Sequence, residues 1–492
     1  MSAAQAELEA LAAAALANGH EAGALVQLAQ WSRVNPESPA ILLWQALLLR
    51  ALDRRAEALP LLHRAAGLAP SDGGIAHTLA QTALEAGLPA AGLFEQALQL
   101  DPGSAVVRLG LTSARYAGGD GVAALEALEA ALAHNPGWYD GHRQFAQLAT
   151  MLGQPERLLA TLRTTIARFP DAPDPYLVAA ELQMAAGDFA GALELSKQAL
   201  ARAGDDTALW LVQATALDEL GESAAAEAAF ARAGPAETAA DAVRLIRHAL
   251  RAGDARAALK LAEPWLASAD ATQVWPYVSL AWRLLGDDRA VWLEQQPGLV
   301  NQIDLAPEAI DLPALAQRLR AIHVGSGRFL DQSVRFGTQT DGPLFARIEP
   351  ELVAVRKVMS DALAAHIAKL PPSDERHPQL APRRDRDPRF AGSWSVRLVD
   401  EGFHASHQHP QGWFSAVLYI AVPAGLTDSE GQLVLGGAPP ELGLNLAPYQ
   451  TVLPSPGRLV IFPSTMWHAT LPYKSGERMA IAFDIARPIE EP

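Results

Sequence analysis

Glycine recurs at positions 19, 87, 119, 153, 187, 221, 253 and 286, with Asp53 in the one gap, so successive positions lie 32 to 34 residues apart. A second marker keeps the same period: Pro36, Pro70, Pro102, Pro136 and Pro170. A repeat of this length is one supersecondary unit that cannot bury its apolar face alone and must stack on copies of itself. Each marker has a mechanical role. Glycine supplies the tight turn between two helices, and proline starts the next unit after the second helix. Between the markers run Ala-rich helical stretches such as Ala185 to Glu194, whose small residues let neighbouring helices pack closely. Chance helical hairpins do not keep two phases through five units. The pattern loosens after Gly204, where the expected proline is absent, and Pro235 restores the phase only approximately.

These repeats resemble the tetratricopeptide family. The resemblance implies an all-α solenoid over residues 1–295, about eight helix pairs, with a concave groove that binds peptide segments or helices of partner proteins. A spacer or an oligomerisation surface is the other reading of the same stack.

From about residue 300 the pattern changes to short runs rich in Ile, Val, Phe and Thr, separated by Pro and Gly clusters, with the join near Gln295 to Gly298. A chain of 492 residues, half of them apolar, has material for more than one core. Glu351 to Ile367 reads as a supporting helix, and Leu370 to Pro388 as a loop that shapes the entrance of a site. Asp331 to Thr340 is polar and strand-like. The chemistry-bearing residues follow. His407-Gln408-His409 precedes His468 by 59 residues, and Arg478 stands ten residues further on. Imidazoles are common ligands for Fe, Zn and Cu, and a two-residue step along a strand puts both side chains on one face. His468 lies just beyond the apolar run Leu459 to Phe462, where a second strand can bring a third ligand from across a barrel. Arg478 opens a segment that alternates with period two as far as Ile485. Its guanidinium can fork onto a carboxylate of a bound acid.

Together with Ser393 to Leu398 and Gly402 to Trp413, these residues resemble the iron- and 2-oxoglutarate-dependent oxygenases, and more narrowly the oxygenase domains that follow tetratricopeptide repeats in bacterial proteins. The resemblance covers roughly residues 300–492. It implies an α+β domain with a double-stranded β-helix (jelly-roll) core, Fe(II) on His407, His409 and His468, 2-oxoglutarate held by Arg478, and dioxygen as the other cosubstrate. One position departs: His409 stands where the family has Asp or Glu, which leaves Fe(II) with more net charge than a 2-His-1-carboxylate set does. His404 is three residues from His407, on the opposite face of a strand, and is read as rim or indirect support. Tyr419 shares parity with His407 and His409, as do Trp413, Ser415 and Val417. It reaches the bound oxoacid if the strand runs unbroken through Pro410-Gln411-Gly412, and otherwise packs in the core. Trp467 is read as a wall of the site. Arg397 and the cluster Arg383, Arg384, Arg386 and Arg389, interleaved with Asp385 and Asp387, are read as solvated.

The expected function is a non-haem iron dioxygenase that hydroxylates a protein or peptide brought by the repeats. Its rivals are a partner-binding scaffold with a silent barrel and a metal barrel that does not use 2-oxoglutarate. The cupin pattern is incomplete, because Trp413 and Phe414 stand where its Glu is needed. Serine-hydrolase, P-loop and zincin motifs are absent. A net charge of −16 argues against a general nucleic-acid or anionic-membrane binder. Neither a secretory signal nor a membrane-length apolar run is found, and the chain has no cysteine. A cytoplasmic location is expected.

Overall fold

A computed structural model describes residues 3–325, 327, 329, 330, 332–427 and 429–489. Asp331, first residue of the polar segment noted above, lies outside the described residues, as do 1–2 and 490–492. Between Ala3 and Glu294 the chain forms eighteen α-helices in nine pairs, one more than the sequence count. Every phase position turns a pair, and all nine have φ between 58° and 92°. Asp53 is the non-glycine among them, with φ 58°. Asp reaches this left-handed region at some cost, because its short side chain bonds locally. The prolines sit just ahead of the helix caps: Ser38, Asp72 and Ser104, each two residues after its proline, accept the backbone N–H of Ile41, Ile75 and Val107.

Among its described residues the C-terminal part contains nine strands: β1 (Asn301–Asp304), β2 (Val334–Gln339), β3 (Phe390–His404), β4 (Gly412–Ala421), β5 (Leu433–Leu435), β6 (Gln450–Val452), β7 (Arg458–Pro463), β8 (His468–Thr470) and β9 (Glu477–Ala486). They form a six-stranded sheet in the order β1-β7-β4-β9-β3-β2 and a three-stranded sheet in the order β6-β5-β8, with every pairing antiparallel. Strand parity sorts the side chains of the larger sheet. Met479, Ile481, Phe483 and Ile485 of β9, with Phe414, Ala416 and Leu418 of β4, pack against helices Leu312–Ile322 and Pro350–Ile367. The opposite face meets the smaller sheet, where Tyr419, Val460 and Ala480 pack with Leu433, Leu435 and Val452. Trp413 departs from the parity of Tyr419 and joins the helix-side core, since the β4–β9 register slips between Gly412 and Ser415.

The two parts touch along the turns within the helix pairs. Arg386 donates to the Asn18 carbonyl, and Arg389 pairs with the buried Glu21. Arg356 donates to the Asp53 carbonyl at 2.7 Å, and the Ile348 N–H to the Ala86 carbonyl at 3.3 Å. Further on, Trp292 Nε1 donates to Asp374 at 3.1 Å and Arg251 Nε to the Glu441 carbonyl at 2.9 Å. These contacts correct two expectations. Arg386 and Arg389 are not solvated, because the first helix pair offers them acceptors. The stretch from Leu370 to Pro388 packs on the repeats, and none of its residues lines the pocket described below. Arg397 lies in β3 and bonds Glu477 at 2.6 Å. Among the described residues no helix is long and apolar enough to cross a membrane.

Candidate metal centre

His407 and His409 are not on a regular strand as expected. They lie in the connection between β3 and β4, which Pro410 and Gln411 close by a turn, the Gly412 N–H donating to the His409 carbonyl at 3.1 Å. A local β-like arrangement still aims both inward: His407 and His468 form an isolated antiparallel bridge, with reciprocal N–H to carbonyl bonds of 3.0 and 2.9 Å. The His409 N–H donates to the Ser464 carbonyl at 2.8 Å. One nitrogen from each of His407, His409 and His468 lies within 4.8 Å of the others.

The hydrogen bonds set which nitrogen is offered. Nδ1 of His407 lies 2.8 Å from the Ala405 carbonyl, Nδ1 of His468 3.0 Å from the Met466 carbonyl, and Nδ1 of His409 2.8 Å from Asp484 Oδ1. These oxygens only accept, so each Nδ1 carries a proton, and a neutral ring then keeps its lone pair on Nε2. That tautomer leaves Nε2 free to bind a metal. Burial, reinforced by the neighbouring His409, holds His407 down to about 3. Burial and then His407 push His404 and His468 well below the ordinary histidine range. Neutral imidazoles bind cations without first losing a proton.

Asp484 was not foreseen. Its carboxylate receives His409 and also the Ser415 hydroxyl at 2.6 Å. The charge missing at position 409 thus reappears one bond further out, as a carboxylate–imidazole pair of the kind that makes a ligand more basic. Strand parity carried the signal, since Arg478, Ala480, Ala482 and Asp484 share one face of β9 and all line the same pocket. Ser333 was also missed. Its hydroxyl lies 2.9 Å from His404 Nδ1 and 3.2 Å from His407 Nε2, a contact between distant segments that no local pattern reveals. His404 itself is outside the three-nitrogen group and lines the pocket beside it.

The pocket brings His407, His409, His468, Tyr419 and Arg478 together between the two sheets. Arg478 is 3 % exposed. Among the described residues its guanidinium bonds only the Tyr419 hydroxyl, at 3.4 Å, lies 5.1 Å from the Tyr419 ring centroid, and has Nη1 buried without a partner. Among the described residues no carboxylate pairs with it. A buried cation with no counter-charge is costly, and such a guanidinium can take an anion. Burial raises the Tyr419 hydroxyl pKa, with Arg478 opposing, and the neutral phenol remains a donor at neutral pH. Trp467, expected as a wall, turns away from the pocket and packs among the last repeats.

Residues 392–484 match the family described as "Putative 2OG-Fe(II) oxygenase", and residues 90–138 match the tetratricopeptide repeat family. Among solved structures, the chain is similar to a tetratricopeptide repeat protein from Parabacteroides merdae, with 18% identity over 47% of this chain and 93% of that one and a TM-score of 0.31. It is also similar to a thermophilic tetratricopeptide protein of Thermus thermophilus, with 27% identity over 37% and 99% and a TM-score of 0.24. For yeast Tom70 the values are 17% identity over 55% and 60% and a TM-score of 0.36. No curated protein matches the chain.

Proposed function

We propose that the chain is a non-haem Fe(II), 2-oxoglutarate-dependent dioxygenase that hydroxylates a protein or peptide substrate, built as a repeat unit over residues 1–295 and a jelly-roll oxygenase unit over 300–492. The observation that carries the reading is the unpaired Arg478 beside three converging imidazoles in one pocket. His407, His409 and His468 would hold the metal, and Asp484 would keep His409 oriented and basic. Arg478 would take the far carboxylate of the oxoacid in a two-bond fork, with the Tyr419 hydroxyl as a further donor. Iron with a bound 2-oxo acid supplies the dioxygen chemistry, in which the oxoacid loses CO₂ to become succinate and one oxygen atom enters a C–H bond of the substrate. The two facing antiparallel sheets support the double-stranded β-helix reading. The repeats support a macromolecular substrate, which enters beside whatever part of their surface this chain does not cover itself.

His409 in place of a carboxylate favours a second reading, a metal barrel that is silent toward oxoacids. One titration separates the two. Fe(II) and 2-oxoglutarate are added anaerobically to the full chain while visible absorption is followed. A metal-to-oxoacid charge-transfer band that needs both additions supports the oxygenase. Stoichiometric iron with no band supports the silent barrel, and no iron uptake overturns both.

A further inference from the structure

Ligands carried on connections hold their geometry only if something rigid holds the connections. His468 opens β8, and the residue before it, Trp467, is 4 % exposed among side chains of the last repeats. The Trp467 Nε1–H donates to the Pro276 carbonyl at 3.2 Å, and its ring meets Tyr277 edge-on at 5.5 Å. The Trp467 carbonyl accepts the Gly436 N–H at 2.7 Å, while Arg283 donates to the Gly436 carbonyl. Pro276, Tyr277 and Arg283 belong to one helix, Ala271–Leu285. That repeat helix therefore grips the neighbour of a proposed metal ligand through both side chain and backbone.

The other side of the pocket is tied to different repeats. The Gly327 N–H donates to the Met151 carbonyl at 3.0 Å, and a Cβ at Gly327 would fall 1.9 Å from the Thr150 carbonyl oxygen, so only glycine fits. Phe329 packs with Tyr116, Leu148 and Met151, and the Leu330 N–H donates to Gln147 Oε1 at 3.0 Å. Three residues later the Ser333 carbonyl accepts the Ala405 N–H at 2.8 Å, and its hydroxyl reaches His404 and His407 as described above. Two of the three imidazoles thus stand within a few residues of an anchor seated on the solenoid.

We propose that the repeats position the metal: Trp467, held by Pro276, Tyr277 and Arg283, and Phe329 with Leu330, held by Met151 and Gln147, are positioning residues for His468 and His407. The proposal rests on the metal reading above. Occupancy of the site and packing of the repeats on the β-domain are then two sides of one coupling, and each strengthens the other by the same factor. An ordinary inter-domain contact would stabilise the fold and leave metal affinity unchanged.

The test uses the full chain and Co(II) as an optical probe of the ligand field. Wild type binds one Co(II); Trp467→Ala, Tyr277→Ala and Phe329→Ala weaken binding about 10- to 100-fold, the size expected when support behind a ligand is lost, and change the absorption band. Trp467→Phe keeps the ring contact, loses the bond to Pro276 and falls between. Hydrogen exchange on wild type needs no variant: Co(II) slows exchange of the Ala271–Leu285 and Tyr139–Met151 helices. Variants of native helical content with wild-type affinity and band overturn the proposal, as does exchange in both helices that ignores the metal. Wild type that takes up no Co(II) overturns the metal reading and the proposal with it.

Discussion

In the repeats, one core joins Leu62, Leu79, Phe94 and Leu111, drawn from three successive helix pairs, whereas the core of the β-domain joins Leu299 to Ile485. The first is assembled by local contacts that repeat down the chain, the second by closing long loops around paired strands. The difference decides where chemistry can sit. A stack of like units offers extended surfaces, while a sheet folded over another brings Ser333, His407, His468 and Asp484 into one pocket from four separate segments. It also decides how each region fails, since a fault in the stack is shared with its neighbours and a fault in the pocket removes one function.

The largest effect separates the two regions cleanly. His468→Ala removes one of the three proposed ligands from a set with no direct carboxylate, so stoichiometric Fe(II) or Co(II) binding is lost while helical circular dichroism stays at the wild-type value. His404→Ala, one step outside the set, keeps the metal. Full metal loading in the His468 variant would break the assignment of the pocket.

Arg478→Ala comes next. The metal stays bound, because Arg is not a ligand, and 2-oxoglutarate affinity falls by about 3–5 kcal/mol, roughly a hundred- to several-thousand-fold. Arg478→Lys recovers part of the loss, since a point charge cannot reproduce the fork. In the ligand-free protein the Ala variant melts no lower than wild type, as an uncompensated buried cation has been removed. Calorimetric titration of iron-loaded protein measures the first effect and a thermal melt the second; equal affinity in all three proteins would make Arg478 structural.

The same contrast governs what could be read from the sequence. The solenoid was legible because Gly187 or Gly221 needs only its own turn to explain it, and the period then counts the pairs to within one. In the β-domain the residue types and their order were legible, His407, His409, His468 and Arg478 being unusual together. Their partners were not, because the Nδ1 acceptors of His407 and His468 are backbone carbonyls and Ser333 arrives from another segment. Trp467 was misread for a similar reason: its neighbour points into the pocket, but its own surroundings are a repeat helix nearly two hundred positions earlier. Contacts between regions leave no periodic trace.

A buried carboxyl at the join tests whether the regions share a pH response. Glu294, in the last repeat helix, bonds the Ser279 hydroxyl and is pushed by burial from its ordinary 4.5 up to about 7, with Ser279 and Arg283 opposing. Between those values the folded chain holds a proton that the unfolded chain has released. Stability from this group is therefore full below about 4.5, falls as pH rises, and levels off above about 7. The span is on the order of 3 kcal/mol. Glu294→Gln keeps a neutral polar group there and flattens that part of the profile, so the variant gains on wild type at pH 8 and not at pH 5. Chemical denaturation at the two pH values measures the difference, and parallel profiles would show that Glu294 is ionised in the folded protein.

The smallest effect lies within the repeats and reverses sign between two equivalent turns. Gly187 has φ 82° with open space where a Cβ would stand, so Gly187→Ala adds no clash and costs only the left-handed backbone, about 1–2 kcal/mol. Asp53 occupies the same phase with φ 58° and already bears that strain. Asp53→Gly releases it and loses the 2.6 Å ion pair with Arg55, which is worth about 0.2–1 kcal/mol at a partly exposed site. The backbone carbonyl that receives Arg356 survives the change. The two terms nearly offset, so Asp53→Gly leaves stability within about 1 kcal/mol of wild type, on the stabilising side, while Gly187→Ala lowers it. Urea midpoints of both variants with unchanged slopes measure this. A Gly187→Ala protein as stable as wild type would mean that this turn rearranges to negative φ, and that the phase position is not set by backbone geometry.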